Sequence, residues 1–132
     1  MIAVDTNVLA RYLLNDEPKQ ARAAAALLAS DSIVVPPTVL LELVWVLRVN
    51  DCDREAIIRG LRHLLGLPNL SPLQPEAVLR ALSWFEAGMD FSDALHLALS
   101  SSAETMYTFD RDFVAHAKRV GLTPVVSQPR GA

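Results

Sequence analysis

Four acidic residues are the side chains of this sequence that could do chemistry together: Asp5, Glu42, Asp93 and Asp110. Asp5 and Asp110 each come directly after a short apolar run with the character of a strand. Glu42 and Asp93 each lie in the opening turns of a segment with helical spacing. In an open α/β sheet, ligand sites form beyond the carboxyl ends of the strands. We therefore expect the four carboxylates to converge near one edge of a sheet.

Carboxylates gathered in this way repel one another severely unless cations hold them. Their oxygens are hard ligands that suit Mg²⁺ or Mn²⁺, ions that keep several waters and use only a few direct carboxylates. Such a site can activate a water molecule and stabilise the charge that develops on a phosphate during hydrolysis. The acids therefore predict metal-dependent cleavage of a phosphodiester bond.

The junction around Asp5 also has a simpler interpretation. Residues Met1 to Val4 have the length and composition of a buried strand, and the polar triplet Asp5, Thr6 and Asn7 follows them. A side-chain oxygen at this point can cap the next helix by accepting its backbone N–H groups. Both roles of Asp5, helix cap and site residue, stay open on the sequence.

Other polar residues flank the late acids. Asp90 is expected to cap the helix that carries Asp93 or to support the site from behind. His96 is favoured as a structural histidine over a general base, because a metal-bound water needs no separate imidazole. Asp112, rather than Asp110, is predicted to cap the last helix. The residues proposed to contact phosphate are Arg11, Arg111 and Lys118, which would position RNA without specifying its sequence.

The elements that must position these residues alternate between strand and helix. Strands are predicted over 1–4, 32–35, 103–109 and 123–126, with 70–73 as a brief strand or an extended connection. Helices are predicted over 6–15, 18–29, 38–49, 75–87, 90–101 and 113–120, and one more follows the cap signals at Asp51 and Asp53 and ends at Leu65. This alternation predicts an α/β fold in which a parallel sheet carries helices on both faces.

Composition limits the class of protein. A length of 132 residues without a composition shift predicts a single domain over residues 1–132. No apolar run approaches a membrane span, no signal peptide precedes the first strand, and the single Cys52 suits a reducing compartment, so a cytoplasmic protein is expected. The net charge is −3, but setting aside the four acids leaves 15 − 4 = 11 acids against 12 Lys and Arg. Charge therefore does not exclude a nucleic-acid substrate.

Four segments of the sequence resemble the PIN-domain family, and in particular the VapC-type toxins of bacterial toxin–antitoxin pairs. They are VDTNVL, PPTVLLELVWVL, DFSDALHLALS and TMYTFDRDF, in family-like order and spacing over nearly the whole chain. The resemblance implies a PIN-like three-layer sandwich, with a central parallel sheet of four to five short strands and about seven helices. It also implies an Mg²⁺- or Mn²⁺-dependent endoribonuclease that cleaves RNA, is inhibited by a cognate antitoxin and is often dimeric.

The resemblance assigns the family's acids to residues of this chain. Asp5 matches the first acid, Glu42 the helical glutamate, Asp93 the acid of the DA dipeptide, and Asp110 the acid after the late strand. Thr6 falls where the family often places a hydroxyl that supports the first aspartate. This chain does not depart from the family pattern at any of these positions.

Two other functions remain open. Enzymes that act through an aspartyl phosphate also use an aspartate after the first strand, but usually want a second acid two residues later, where this chain has Asn7. The other possible function is that of a non-catalytic interaction module with the same fold. The apolar content of 52% further predicts a homodimer and a separate groove for an antitoxin segment, near Leu40, Val44, Trp45 and the fourth helix.

Overall fold

The computed structural model describes residues 1–131, which divide into two compact units. The N-terminal unit is Met1–Pro75, and the C-terminal unit begins at Glu76. The described residues form seven helices and five short strands, and every strand pairing is parallel. The predicted α/β class is thus confirmed, while the single domain stays a prediction.

The N-terminal unit is built on a three-stranded sheet in the order β1-β2-β3. Its elements are β1 (Ile2–Ala3), α1 (Thr6–Leu14), α2 (Pro18–Ser30), β2 (Ile33–Val35), α3 (Pro37–Val49), α4 (Arg54–Leu65) and β3 (Leu70–Pro72). Ile33 of the central strand pairs with Ile2 on one side and Leu70 on the other, and it is only 1% exposed. A helical crossover joins each pair of parallel strands, as parallel pairing requires.

Proline and asparagine set the ends of helices in this unit. Pro18 and Pro37 occupy the first turns of α2 and α3, where a missing N–H costs nothing and a fixed φ favours the helix. Asn15 closes α1 in the left-handed conformation, with φ of 51°. The side-chain amide of Asn69 donates to the carbonyls of Leu28 and Asp31, so the end of α2 is tied to the segment before β3.

The burial of α3 in the N-terminal unit contradicts part of the prediction of an antitoxin groove. Leu40 and Val44 of α3 are 1% and 2% exposed, so these two side chains belong to the core and cannot line a surface groove. Trp45, the residue directly after Val44, is 63% exposed. The antitoxin groove predicted at these residues is therefore wrong for Leu40 and Val44, because α3 is apolar on most of its circumference and the sequence does not reveal which side faces inward.

The C-terminal unit contains one parallel pair of strands. Apart from Pro75, which is the last residue of the N-terminal unit, its elements are α5 (Pro75–Glu86), α6 (Phe91–Leu99), β4 (Thr105–Tyr107), α7 (Arg111–Val120) and β5 (Val125–Ser127). Strands β4 and β5 are joined through α7, which ends at Gly121 with φ of +64°. The buried rings of Phe85 and Phe91 meet edge to face, with centroids 5.3 Å apart. Nowhere in residues 1–131 is a helix long and apolar enough to cross a membrane.

Candidate active site

Asp5 caps the first helix. It follows β1 and Val4, and its Oδ1 accepts the backbone N–H of Asn7 at 3.0 Å. The cap interpretation is therefore confirmed. Because the cap occupies Oδ1, the second oxygen of this exposed carboxylate remains suited to a cation, and the two roles do not exclude one another.

Thr6, next to Asp5, carries the one buried polar side-chain atom that lacks a hydrogen-bond partner in the described part of the chain. Its side chain is 3% exposed, and its Oγ1 finds no partner there. Burying an unsatisfied hydroxyl costs about 1–3 kcal/mol. Such an atom beside a candidate acid fits a site that is completed by a bound ion or water. Support of Asp5 by Thr6 stays a prediction.

Glu42 lies in the second turn of α3, after β2 and the helix-starting Pro37. Its side chain is exposed. Trp45 lies three residues further on and is also exposed, so the two side chains share one outward-facing side of the helix. The sequence thus placed Glu42 correctly in the early part of a helix, while its role as a site residue stays a prediction.

Asp90 and Asp93 form the start of α6. Asp90 is the N-cap, and its Oδ2 accepts the backbone N–H of Asp93 at 3.2 Å as well as the hydroxyl of Ser92. The predicted capping role of Asp90 is confirmed. Asp93 lies in the first turn of the helix that this cap fixes, and its carboxyl group is partly buried.

The pKa of Asp93 is raised above the ordinary range of an aspartic acid. Burial is the largest cause, and the negative charges of Asp90 and Asp110 add to it. The imidazoles of His96 and His116 act in the opposite direction. Within this unit, Asp93 and Asp110 are therefore close enough to interact, as the four-acid pattern predicts for this pair.

His116 is a neighbour of Asp93 that the sequence did not reveal. It lies in the middle of α7, and its charge lowers the pKa of Asp93. No motif and no spacing mark it, because it approaches Asp93 only through the packing of α7 within the C-terminal unit. His96, three residues after Asp93, is exposed.

Asp110, and not Asp112, is the N-cap of α7. Its Oδ1 accepts the backbone N–H groups of Asp112 at 2.9 Å and Phe113 at 3.2 Å, and its own N–H donates to Thr108 Oγ1 at 3.0 Å. The predicted cap at Asp112 is wrong, since α7 begins at Arg111 and includes Asp112 in its first turn. As at Asp5, the cap uses one oxygen, and the other is suited to a cation.

The chemical type of the candidate ligands suits a hard cation. Asp5, Glu42, Asp93 and Asp110 supply carboxylate oxygens, and Thr6 beside Asp5 has a buried hydroxyl. Across residues 1–131, however, no three His, Cys, Asp or Glu side chains are grouped so that they could hold a metal ion. A cation near Asp93 would offset the negative charges of Asp90 and Asp110, which act on this partly buried carboxyl group.

The basic residues proposed for phosphate contact lie on the surface. Arg11 forms an ion pair with Asp16 at 3.1 Å, in which the two side chains are 40% and 48% exposed. An exposed pair of this kind contributes about 0–1 kcal/mol, so a phosphate can compete for the guanidinium. Arg111 and Lys118 are exposed on α7.

The raised pKa of Asp93 predicts how stability depends on pH in a metal chelator. A carboxyl group whose pKa is higher in the folded chain contributes stability that is fully present below the unfolded pKa of about 3.9 and is lost as pH rises through the folded pKa. Relative to Asp93→Asn, which does not titrate, the parent should lose free energy of unfolding as pH rises above the unfolded pKa of about 3.9. Urea denaturation in EDTA measures this difference, and a difference that is constant or that rises with pH would contradict it.

Comparison with known proteins places the chain in a family. The model of the PIN domain family matches residues 2–119. No curated protein sequence matches the chain significantly. Among solved structures, the chain is similar to Mycobacterium tuberculosis VapC20, described as a sarcin-ricin loop cleaving toxin, with 22% identity and a TM-score of 0.42 over 98% of this chain and 100% of that one. Because the family model covers most of its length, this chain belongs to the PIN domain family.

Proposed function

We propose that this chain is a metal-dependent endoribonuclease that acts as the toxin of a toxin–antitoxin pair in the cytoplasm. PIN domains are nucleases, which supports the general class of reaction. The observation that carries the proposal is the raised pKa of Asp93, which is caused first by burial and then by the negative charges of Asp90 and Asp110 in the same unit. Carboxylates held together against their repulsion are the setting in which a divalent cation binds.

The proposed metal-binding and catalytic acids are Asp5, Glu42, Asp93 and Asp110, and the ion is Mg²⁺ or Mn²⁺. When bound, the ion supplies a Lewis acid and lowers the pKa of a coordinated water. Asp5 and Asp110 each use one oxygen to cap a helix, which fixes the carboxylate and leaves the other oxygen for the ion. Asp90 supports Asp93 by fixing the first turn of α6, and Thr6 offers a buried hydroxyl beside Asp5.

The charge of these acids also predicts how RNA binds. Without a cation, the carboxylates near Asp93 repel a phosphate, so the chain needs the ion to accept substrate as well as to cleave it. Arg111 and Lys118 are the basic residues of the same unit that would contact phosphate, and such contacts weaken with salt. RNA binding should therefore require the metal and decrease with ionic strength.

The proposed partners are a cognate antitoxin and a second copy of the chain. The toxin role rests on the four sequence segments that resemble VapC-type toxins. The exposed Trp45 and Val49 on α3, 63% and 57% exposed, supply apolar surface that a partner can cover. Light scattering at tens of micromolar tests for the homodimer.

The first test of the nuclease is cleavage of a circular RNA. The purified chain is incubated with a pool of circular RNAs of random sequence, which an endonuclease can cut because it needs no free end. The circles should open only when Mg²⁺ or Mn²⁺ is present. EDTA should lower the rate by at least about 100-fold, and restoring the ion should recover it. Gel electrophoresis measures the linear product. Equal cleavage with and without chelator would remove the metal from the proposal.

A non-catalytic interaction module is the alternative that one observation favours. Within residues 1–131, no three metal-ligating side chains are grouped, and a module that binds no metal would lack such a group. Calorimetric titration with Mn²⁺ separates the two. An enzyme binds the ion with a signal that Asp93→Asn weakens, whereas a module gives no binding in either protein. The aspartyl-phosphate alternative lacks the second acid, since Asn7 stands at that position.

A further inference from the structure

A groove of about 480 Å³ lies along α1 and α2 in the N-terminal unit. Its polar lining comes from two amides and one guanidinium, on Asn7, Gln20 and Arg11. Its apolar lining consists of small and medium side chains, including Val8, Ala23 and Leu27. No carboxylate is among the described residues that line it.

We propose that this groove binds one nucleotide of the RNA substrate, next to the bond that is cleaved. The inference rests on the proposed nuclease function and adds to it the residues that read the base. It assigns the base to the floor of Val8, Ala23 and Leu27, the edge of the base to Asn7 and Gln20, and a phosphate to Arg11.

The position of the groove relative to Asp5 supports this assignment. Asn7 lines the groove, and its backbone N–H is bonded to Asp5 Oδ1 at 3.0 Å. Because Asp5 and Asn7 are two positions apart in the chain, their Cα atoms are no more than about 7–8 Å apart. A nucleotide in the groove would therefore lie within one nucleotide's reach of the candidate acid.

The lining suits a nucleobase in both size and chemistry. The volume falls in the range of about 300–1,000 Å³ that is typical of small-molecule sites. Each amide of Asn7 and Gln20 offers a donor and an acceptor, which is the pattern that pairs with the edge of a base. The small side chain of Ala23 on α2 leaves an open apolar surface on which a planar ring can lie.

Arg11 supplies the positive charge that a phosphate needs. Its guanidinium is paired with Asp16 at 3.1 Å, but both side chains are well exposed to solvent. Such a pair is weak and is screened by salt, so it can exchange one carboxylate for a phosphate. The guanidinium also presents paired N–H donors that match phosphate oxygens.

A protein segment fits the groove less well than a nucleotide. An amphipathic helix binds through an apolar stripe that repeats every three or four residues over two turns or more. Here three of the seven lining residues are polar or charged. The lining therefore favours a small ligand with hydrogen-bonding edges and a negative group.

The test compares which base each protein prefers beside the cut. The parent, Gln20→Ala, Ala23→Met and the control Ala26→Met are incubated with a random-sequence RNA pool and Mn²⁺, and the ends of the products are sequenced. Ala26 is an exposed alanine on α2 outside the groove lining, so the same substitution there leaves the groove open. We expect the parent to favour one base at a flanking position by at least about fivefold. Gln20→Ala and Ala23→Met should reduce that preference to below about twofold, while Ala26→Met keeps it.

Two results would overturn the proposal in distinguishable ways. If all four proteins cleave with the same base preference, the groove does not read the substrate, as would happen if it took a peptide, while the nuclease function stands. If none of the four cleaves any RNA with Mg²⁺ or Mn²⁺, the proposed function fails and the nucleotide site falls with it. Circular dichroism of each variant shows whether α2 has kept its fold.

Discussion

Asp93→Asn is expected to lower the rate of RNA cleavage by about 100-fold or more while the fold stays intact. The side chain keeps its size and loses its charge, so it no longer binds a hard cation strongly. Burial and the negative charges of Asp90 and Asp110 together raise the pKa of Asp93. A cation bound at Asp93 would therefore relieve this repulsion. Cleavage rates of both proteins, at a Mn²⁺ concentration that just saturates the parent, measure the loss.

The same variant should be at least as stable as the parent in chelator. The parent must keep a partly buried charge beside two like charges, and the amide removes that repulsion. Thermal melts in EDTA at neutral pH should show an equal or higher melting temperature. Glu104→Gln, which neutralises an exposed acid elsewhere in the C-terminal unit, is the matched control and should change neither rate nor melting temperature appreciably.

Asp5→Asn extends the prediction to the N-terminal unit. Asparagine caps a helix about as well as aspartate, so the bond to the N–H of Asn7 can be kept while the charge is lost. Cleavage should fall as in Asp93→Asn, with little change in stability. A melting temperature several degrees below that of the parent, for either variant, would show that the acid is structural and would count against the metal site.

Much of the fold followed from local chemistry in the sequence. Pro18 and Pro37 start helices because their fixed φ suits a first turn, and Gly121 ends one because glycine tolerates a positive φ. The alternation of strand and helix left parallel pairing as the simplest topology, and all three pairings are parallel. These features depend on a few neighbouring residues, which is why one sequence suffices to predict them.

Features that depend on packing were not predictable in the same way. The apolar pattern of α3 does not distinguish the buried Leu40 and Val44 from the exposed Trp45, because apolar residues occupy most sides of that helix. The approach of His116 to Asp93 is likewise a result of tertiary packing. Sequence motifs indicated the candidate acids, but they did not reveal which groups share the electrostatic environment of Asp93.

The choice between Asp110 and Asp112 shows where local reasoning reached its limit. Both residues precede the apolar face of α7, and either can cap a helix. A start of α7 at residue 113 would make Asp112 the cap, whereas the chain turns two residues earlier and gives that role to Asp110. Here a shift of two residues in the start of the helix moves the cap from one acid to the other.

Asp110→Asn and Asp110→Ala separate the two roles of this carboxylate. Asparagine can still accept the N–H groups of Asp112 and Phe113, so Asp110→Asn should keep its stability in chelator. If Asp110 binds the ion, the activity and the Mn²⁺ affinity of Asp110→Asn should nevertheless fall by at least about tenfold. Asp110→Ala should lose activity to the same degree and, in addition, about 1 kcal/mol of stability through the lost cap.

Asp112→Ala is the control for both variants, because it removes a neighbouring acid that caps nothing. Its exposed carboxylate only favours the positive end of the helix dipole, so stability should fall by about 0.3–1 kcal/mol at most, with activity near that of the parent. Urea denaturation in EDTA and calorimetry with Mn²⁺ provide the two readouts. If Asp112→Ala abolished Mn²⁺ binding while Asp110→Asn kept it, Asp112 would be the fourth metal-binding acid. Asp110 would then be only a helix cap, and the nuclease proposal would still stand, with Asp112 in the place of Asp110.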